Sequence, residues 1–392
     1  MVNPPLWELG HIAWFQEYWC RRLPDGMSGA RAPSRYAHFD DWYNSSDIAH
    51  APRWALPHPG RKTILQHLRE TLDDTQHALQ QADPSRHYFF ELALLHEAMH
   101  AEAFLMTLQT LALPFPRSPD LAWDEPAAHA DTNIALRDVE FAGGEFLMGT
   151  APGTRRFVFD NEKWARPRRV QPFAIASHCV SNVEYMQFVD DQGYSRRELW
   201  TSSGWDWRTT ANATHPLYWR REDTRWTARK NDTWEALDPD LPMIHVNLHE
   251  AEAWCAWAKR RLPSEAEWEF AATAGGTAQF PWGDGATLLR ECAIGARSDR
   301  PAPSARAPAQ PGPLAHMIGN VWEWTSTPFE PYPAFAPDPY ADYSAPWFGN
   351  HTVVRGGSFV TSPWLIHGRF RNFYMPHRCD VFAGFRTCAI GV

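Results

Sequence analysis

The sequence has no basic run, no apolar run of membrane length and no paired cysteines. Its formal net charge is −9, which argues against nucleic acid and anionic membrane surfaces as partners. It leaves small substrates open, because they respond to the local field. No stretch approaches the length of a membrane span. Met1–Leu9 is followed by His11, Glu17 and Arg21. This start lacks the charged region and apolar core of a signal peptide. The six cysteines form no C-x-x-C, and their spacing suggests neither a zinc site nor a disulfide framework. Such usage fits a reducing compartment, so a cytoplasmic location is expected. Internal repeats and low-complexity tracts are also missing.

Aromatic residues and proline are plentiful, with 21 Trp and 33 Pro in 392 residues. That length suits two domains. Residues 1–115 read as helical. Pro5–Arg22 is aromatic and amphipathic. Arg61–Gln81 places Ile64, Leu65, Leu68, Leu72 and Leu79 at near-helical spacing, and His87–Leu113 reads as a long apolar helix. Helices of this kind make a small bundle. The turn-rich stretch from Phe39 to Pro59 reads as a long functional loop. Residues 116–138 are a Pro/Asp/Ala-rich linker. From 139 to 392 the segments are short, with scattered Gly, Pro and Trp. Two helix starts are legible there, as capping boxes at Ser181/Glu184 and Ser264/Glu267. The second domain is therefore expected to be an irregular α+β unit.

"LLHEAMHAEAF" (Leu94–Phe104) contains H-E-x-x-H. On a helix, His96 and His100 share a face and can both address one ion. A zinc peptidase would use Glu97 as its base and would need a third ligand, usually downstream. No H-x-x-G-x-x-H extension follows His100. Two histidines on an apolar helix are also common as core or surface residues, and His11 alone reads as a buried, hydrogen-bonded histidine.

Five further stretches occur in a familiar order: "FAGGEFLMGT", "RLPSEAEWEFAA", "GNVWEW", "VVRGGSF" and "AGFR". Together they resemble the C-type-lectin-like domain of formylglycine-generating enzymes. "NPPLWELGHIAWFQEYW" and "HEAMHAE" resemble a DinB-like four-helix bundle. The combination is similar to the ergothioneine-type sulfoxide synthases and the related selenoneine synthases. The resemblance implies a multidomain α and α+β chain, with the bundle followed by the lectin-like domain. The chain opens abruptly, so an early part of the family's first helical segment is expected to be missing.

The resemblance also implies a chemistry. His11, His96 and His100 would bind iron(II), with Glu102 completing the motif. Neutral imidazole suits iron as well as zinc, and three protein ligands leave positions for substrate and O2. The implied partners are hercynine, a thiol or selenol donor and O2, joined in a C–S or C–Se bond at the imidazole ring. Sulfur and selenium stay open, with the opening motif leaning toward the selenoneine branch; the oligomeric state also stays open.

Carried over to "YADY", the resemblance gives Tyr340 as proton donor and Tyr343 as a substrate contact, with a slip onto Tyr332 as the alternative. Packing of a loop with Trp347 and Phe348 is the plain reading of these tyrosines. Asn372 and Phe373 match an Asn-Trp pair near the substrate's quaternary ammonium, a group suited to aromatic faces. Met99 and Tyr374 replace a glutamine and an acid of the mycobacterial-type enzymes, which disfavours γ-glutamyl-cysteine as donor. Arg53 reads either as a clamp on a donor carboxylate or as a structural loop arginine. Asn320 in "GNVWEW" suggests a structural Ca2+. The segment after Arg355-Gly356-Gly357-Ser358 holds none of the paired cysteines with which formylglycine-generating enzymes bind copper. Two other classes remain beside this one, a lectin-like binding module without turnover and a zinc peptidase.

Overall fold

The computed structural model describes residues 2–23, 31–116, 136–286, 289, 292–305 and 312–391. Most of the expected linker lies outside them. The chain divides into two compact units, Met1–Leu111 and Ala112–Val392.

The first unit is helical. α1 (Pro5–Gln16) starts on Pro5, whose fixed φ suits a first helical turn. It continues as a π turn over Glu17–Arg21. The loop that follows contains two short helices, α2 (Phe39–Tyr43) and α3 (His50–Arg53). The long helices are α4 (Arg61–Gln81) and α5 (His87–Thr110). α1 packs on both of them and is buried on nearly every side, from Trp7 and Glu8 to Trp14 and Phe15. A helix enclosed in this way needs no polar face. On α4 the buried positions are Ile64, His67, Thr71 and Thr75. Leu72 and Leu79, two of the expected apolar positions, are exposed.

The second unit contains small sheets tied together by loops. β1 (Asp138–Phe141) pairs antiparallel with β4 (Phe173–Ala176), and β2 (Gly144–Met148) with β3 (Arg166–Val170). β1 begins on Asp138, the last residue of the expected linker. β5 (Trp219–Glu222), β6 (Arg225–Lys230) and β7 (Thr233–Ala236) form an antiparallel meander. The last sheet runs in the order β10 (Asn372–Tyr374), β9 (Thr352–Arg355), β8 (Trp322–Pro328), β11 (Ala383–Gly384), with β11 parallel to β8.

Among the described residues, four α-helices complete this unit: α6 (Asn182–Asp190), α7 (Ser202–Thr210), α8 (Leu248–Ala258) and α9 (Glu265–Ala272). The boxes at Ser181/Glu184 and Ser264/Glu267 start α6 and α9. A third box, Asn247/Glu250, starts α8. Each ties up backbone donors that a helix start leaves unpaired.

Candidate metal centre

α5 sets His96 and His100 one turn apart, and α1 brings His11 to them. The ligand atoms of the three rings all lie within 4.8 Å of one another. His96 Nε2 is 3.3 Å from His11 Nε2 and 3.0 Å from His100 Nε2. The outer nitrogens of His11 and His100 are held by groups that only accept. His11 Nδ1 donates to the Tyr43 carbonyl at 2.7 Å. His100 Nδ1 donates to Glu8 Oε1 at 2.5 Å, and Asn3 Nδ2 donates to Glu8 Oε2 at 2.7 Å. A neutral imidazole that donates through Nδ1 presents a lone pair at Nε2. The lone pairs of His11 and His100 therefore both face His96 Nε2, which carries at most one proton. At least one contact is then lone pair against lone pair, a repulsion that a cation relieves. Acceptors behind metal-binding imidazoles orient them in this way. The donor set fits an ion that takes nitrogen ligands, zinc and iron(II) included.

Packing fixes the ring planes. Trp7 stacks on His11 at 4.8 Å between centroids, and Phe15 on His96 at 3.4 Å. His11 and His96 are buried. Burial, then the neighbouring His100, pushes the pKa of both well down, which keeps them neutral. Gly10 has no side chain where a Cβ would lie 2.3 Å from the Tyr43 ring. Trp7, Glu8, Gly10 and His11 of the "WELGH" motif thus each serve the centre. Glu8 escaped the sequence reading, although it sits three residues before His11 on the same helix face. The Tyr43 carbonyl left no signal, because a backbone acceptor has no letter. Met99 lies between the two α5 histidines and is half-buried, Glu97 is exposed, and Glu102 is buried.

Arg53 is a loop arginine. It is buried, it donates to the carbonyls of Ile48 and Ser45 and to Asn3 Oδ1, and its guanidinium lies 3.9 Å from the Trp7 ring centroid. A side chain so engaged is not presented as a carboxylate clamp.

In the second unit, Tyr343 stacks on Phe159 at 4.2 Å and meets Tyr340 at 6.3 Å and Phe373 at 6.0 Å. Burial pushes the Tyr343 phenol well up. Tyr340 is half-buried. Tyr332 is a core residue, flanked by Arg166 at 3.8 Å and Arg371 at 4.2 Å. Asn372 and Phe373 are neighbours on β10. Neighbours on a strand face opposite ways; Asn372 Nδ2 donates to the Tyr374 hydroxyl at 3.1 Å, while Phe373 stacks on Phe329 at 3.9 Å.

A model of the DinB superfamily matches residues 1–112. A model of the sulfatase-modifying factor enzyme 1-like domain matches residues 127–390. Hercynine oxygenase of Mycolicibacterium smegmatis is 33% identical over 404 residues, covering 98% of this chain and 91% of its own. Hercynine oxygenase of Mycobacterium tuberculosis is 33% identical over 397 residues, with the same shares covered. The formylglycine-generating enzyme of Streptomyces coelicolor is 31% identical over 297 residues, covering 65% of this chain and 88% of its own. The chain belongs to the hercynine oxygenase family.

In this hercynine oxygenase family member, the stretches that carry the lectin-like resemblance build a buried ion-pair network. Glu265 and Glu269 of α9 both meet Arg355 of β9, at 2.7 and 2.6 Å. Arg371 adds a 2.6 Å contact to Glu265. Glu323 of β8 pairs with Arg386 at 2.9 Å and accepts from Trp268 Nε1 at 2.8 Å. The geometry of "GNVWEW" also speaks against the calcium site. Asn320 spends its side chain on both backbone groups of Ala302, and Glu323 is already paired. All six cysteines are free, with Cys379 beside Asn247 and Glu250.

Proposed function

We propose that this chain is a non-haem iron(II), O2-dependent enzyme that joins a thiol or selenol donor to the imidazole ring of hercynine. The convergence of three imidazole Nε2 atoms on one point carries the metal half of this reading. The relatives named hercynine oxygenase supply the substrate half. Iron(II) on His11, His96 and His100 would keep open positions and bring one-electron chemistry with O2. For a thiol donor, the ring C–H, the donor S–H and O2 give the C–S bond, its S-oxide and water.

The chain's own residues orient and protect. Glu8 and the Tyr43 carbonyl hold the imidazoles in the tautomer that presents Nε2. Trp7 and Phe15 keep water from the ring faces. Tyr340 is the proposed proton donor, with Tyr343, Asn372 and Phe373 on the substrate side. Met99 and Tyr374 carry no charge. They favour a donor without the additional carboxylate of γ-glutamyl-cysteine, such as cysteine or a selenosugar. The free thiols suit a cytoplasmic setting, and among the described residues no helix is long and apolar enough to cross a membrane.

A zinc peptidase is the second reading, since the same donor set accepts zinc. Its third ligand would come from α1, upstream of the motif. One experiment separates the two. The iron-loaded chain is given hercynine, O2 and, in turn, cysteine, γ-glutamyl-cysteine and a selenosugar, with products read by mass. A donor adduct of hercynine, formed with one iron per chain and lost with the iron in His96→Ala and His100→Ala, is expected. Iron retained in both variants, or no adduct with any donor, defeats the proposal. Casein cleavage abolished by Glu97→Gln would establish the peptidase.

A further inference from the structure

The second unit contains a cleft of about 210 Å³ that the metal centre does not use. Its walls include Thr150, Arg156 and Gly276, and also His367 and Arg369 from the segment after β9. Both arginines are anchored by carbonyls. Arg156 Nη2 donates to Trp364 at 2.9 Å and Ile366 at 3.3 Å. Arg369 donates to Ala278 at 2.9 Å and Gly276 at 2.7 Å. Carbonyl dipoles orient a guanidinium without cancelling its charge.

The nearby carboxylate, Glu162, makes no ion-pair contact with Arg156, though its charge partly offsets the effect of burial there. Arg369 N–H donates to His367 Nδ1 at 3.2 Å, so the ring proton sits on Nε2, which faces Glu162 Oε2 at 3.1 Å. Among the described residues neither arginine has an ion-pair partner. Thr150 is buried and its hydroxyl has no partner. Asp284, on the exposed side of the cleft, accepts from the Gln279 N–H at 3.0 Å.

A partly desolvated cation without an ion-pair contact is costly, and so is a buried hydroxyl left unbonded. Both arise in one cleft, and one kind of ligand relieves both. We propose that this cleft binds a small oxyanion, a carboxylate or phosphate group, through the remaining N–H groups of Arg156 and Arg369 and the Thr150 hydroxyl. Planar guanidinium forks match such oxygens. Limited volume and Asp284 restrict the ligand to a few heavy atoms and low charge.

The test is calorimetric titration of the metal-free full chain with lactate and, separately, with inorganic phosphate, at constant ionic strength. Saturable binding of at least one anion in the millimolar range is expected. Arg156→Gln and Arg369→Gln should each weaken it at least about tenfold. Thr150→Val should weaken it severalfold, with both arginines still in place. Circular dichroism checks the fold of each variant. If the arginine variants do not fold, Thr150→Val decides. No saturable binding by the unaltered chain, or undiminished binding in the folded variants, overturns the proposal.

Discussion

At the scale of residues, the centre depends on where two imidazole protons are held. Glu8→Gln keeps the size of the side chain but leaves one acceptor where two bonds are now received. Metal affinity should fall about 10- to 100-fold, read by competition with a chelator. An unchanged affinity would mean that Glu8 only fills space. Tyr340→Phe removes one hydroxyl and should slow product formation or change the product ratio, with iron content and hercynine binding unchanged. Identical turnover would assign the proton to another donor. His96 and His100 are legible because four residues make about one helical turn. Glu8 and Tyr43 are not legible as partners, because their roles arise from how α1 meets α5 and α2.

At the scale of elements, α1 and α2 approach closely because Gly10 lacks a Cβ. Gly10→Ala should force the Tyr43 ring away, costing about 1–3 kcal/mol. Its carbonyl would then release His11, so metal affinity should drop together with Tm. A stable variant with full affinity would show that the approach is not required. The capping boxes on α6 and α9 were readable because their letters are local. α4 was harder to read. Its buried face carries His67, Thr71 and Thr75, and polar letters on a buried face defeat a reading based on apolar spacing. On strand β10 the resemblance supplied the pair Asn372 and Phe373, and the pleat turns their side chains to opposite faces, which spacing along the chain does not convey.

At the scale of the whole molecule, the second unit rests on charges taken out of water. Arg355→Ala leaves Glu269 without its arginine and Glu265 with only Arg371. It should cost about 3–5 kcal/mol, seen as an earlier urea transition of that unit. A midpoint within error of the parent would mean that water or other groups satisfy those acids. Glu250 gives a pH signature. Burial pushes its carboxyl up to about 7, against the bond from the Tyr194 hydroxyl. The folded state then holds a proton that the unfolded state releases near pH 4.5. The resulting stability is complete below that pH and is lost as pH rises through about 7. Denaturation midpoints should fall over this window, and Glu250→Gln, which can still cap α8, should flatten the trend.

The sequence by itself determined the order of the two units, the long helices of the first, the capped helix starts and the family. These follow from local spacing and from stretches that stay together along the chain. His11 came with the family resemblance; only the tertiary structure decided that Glu8 and the Tyr43 carbonyl stand behind the imidazoles, that Arg53 braces a loop, and that the acids of the lectin-like stretches face arginines. It also placed Arg156 and Arg369 around one cleft. The physical reason is that ion pairing, burial and the choice of ring nitrogen depend on distances between segments far apart in the chain, and such distances exist only once the helices and sheets have packed.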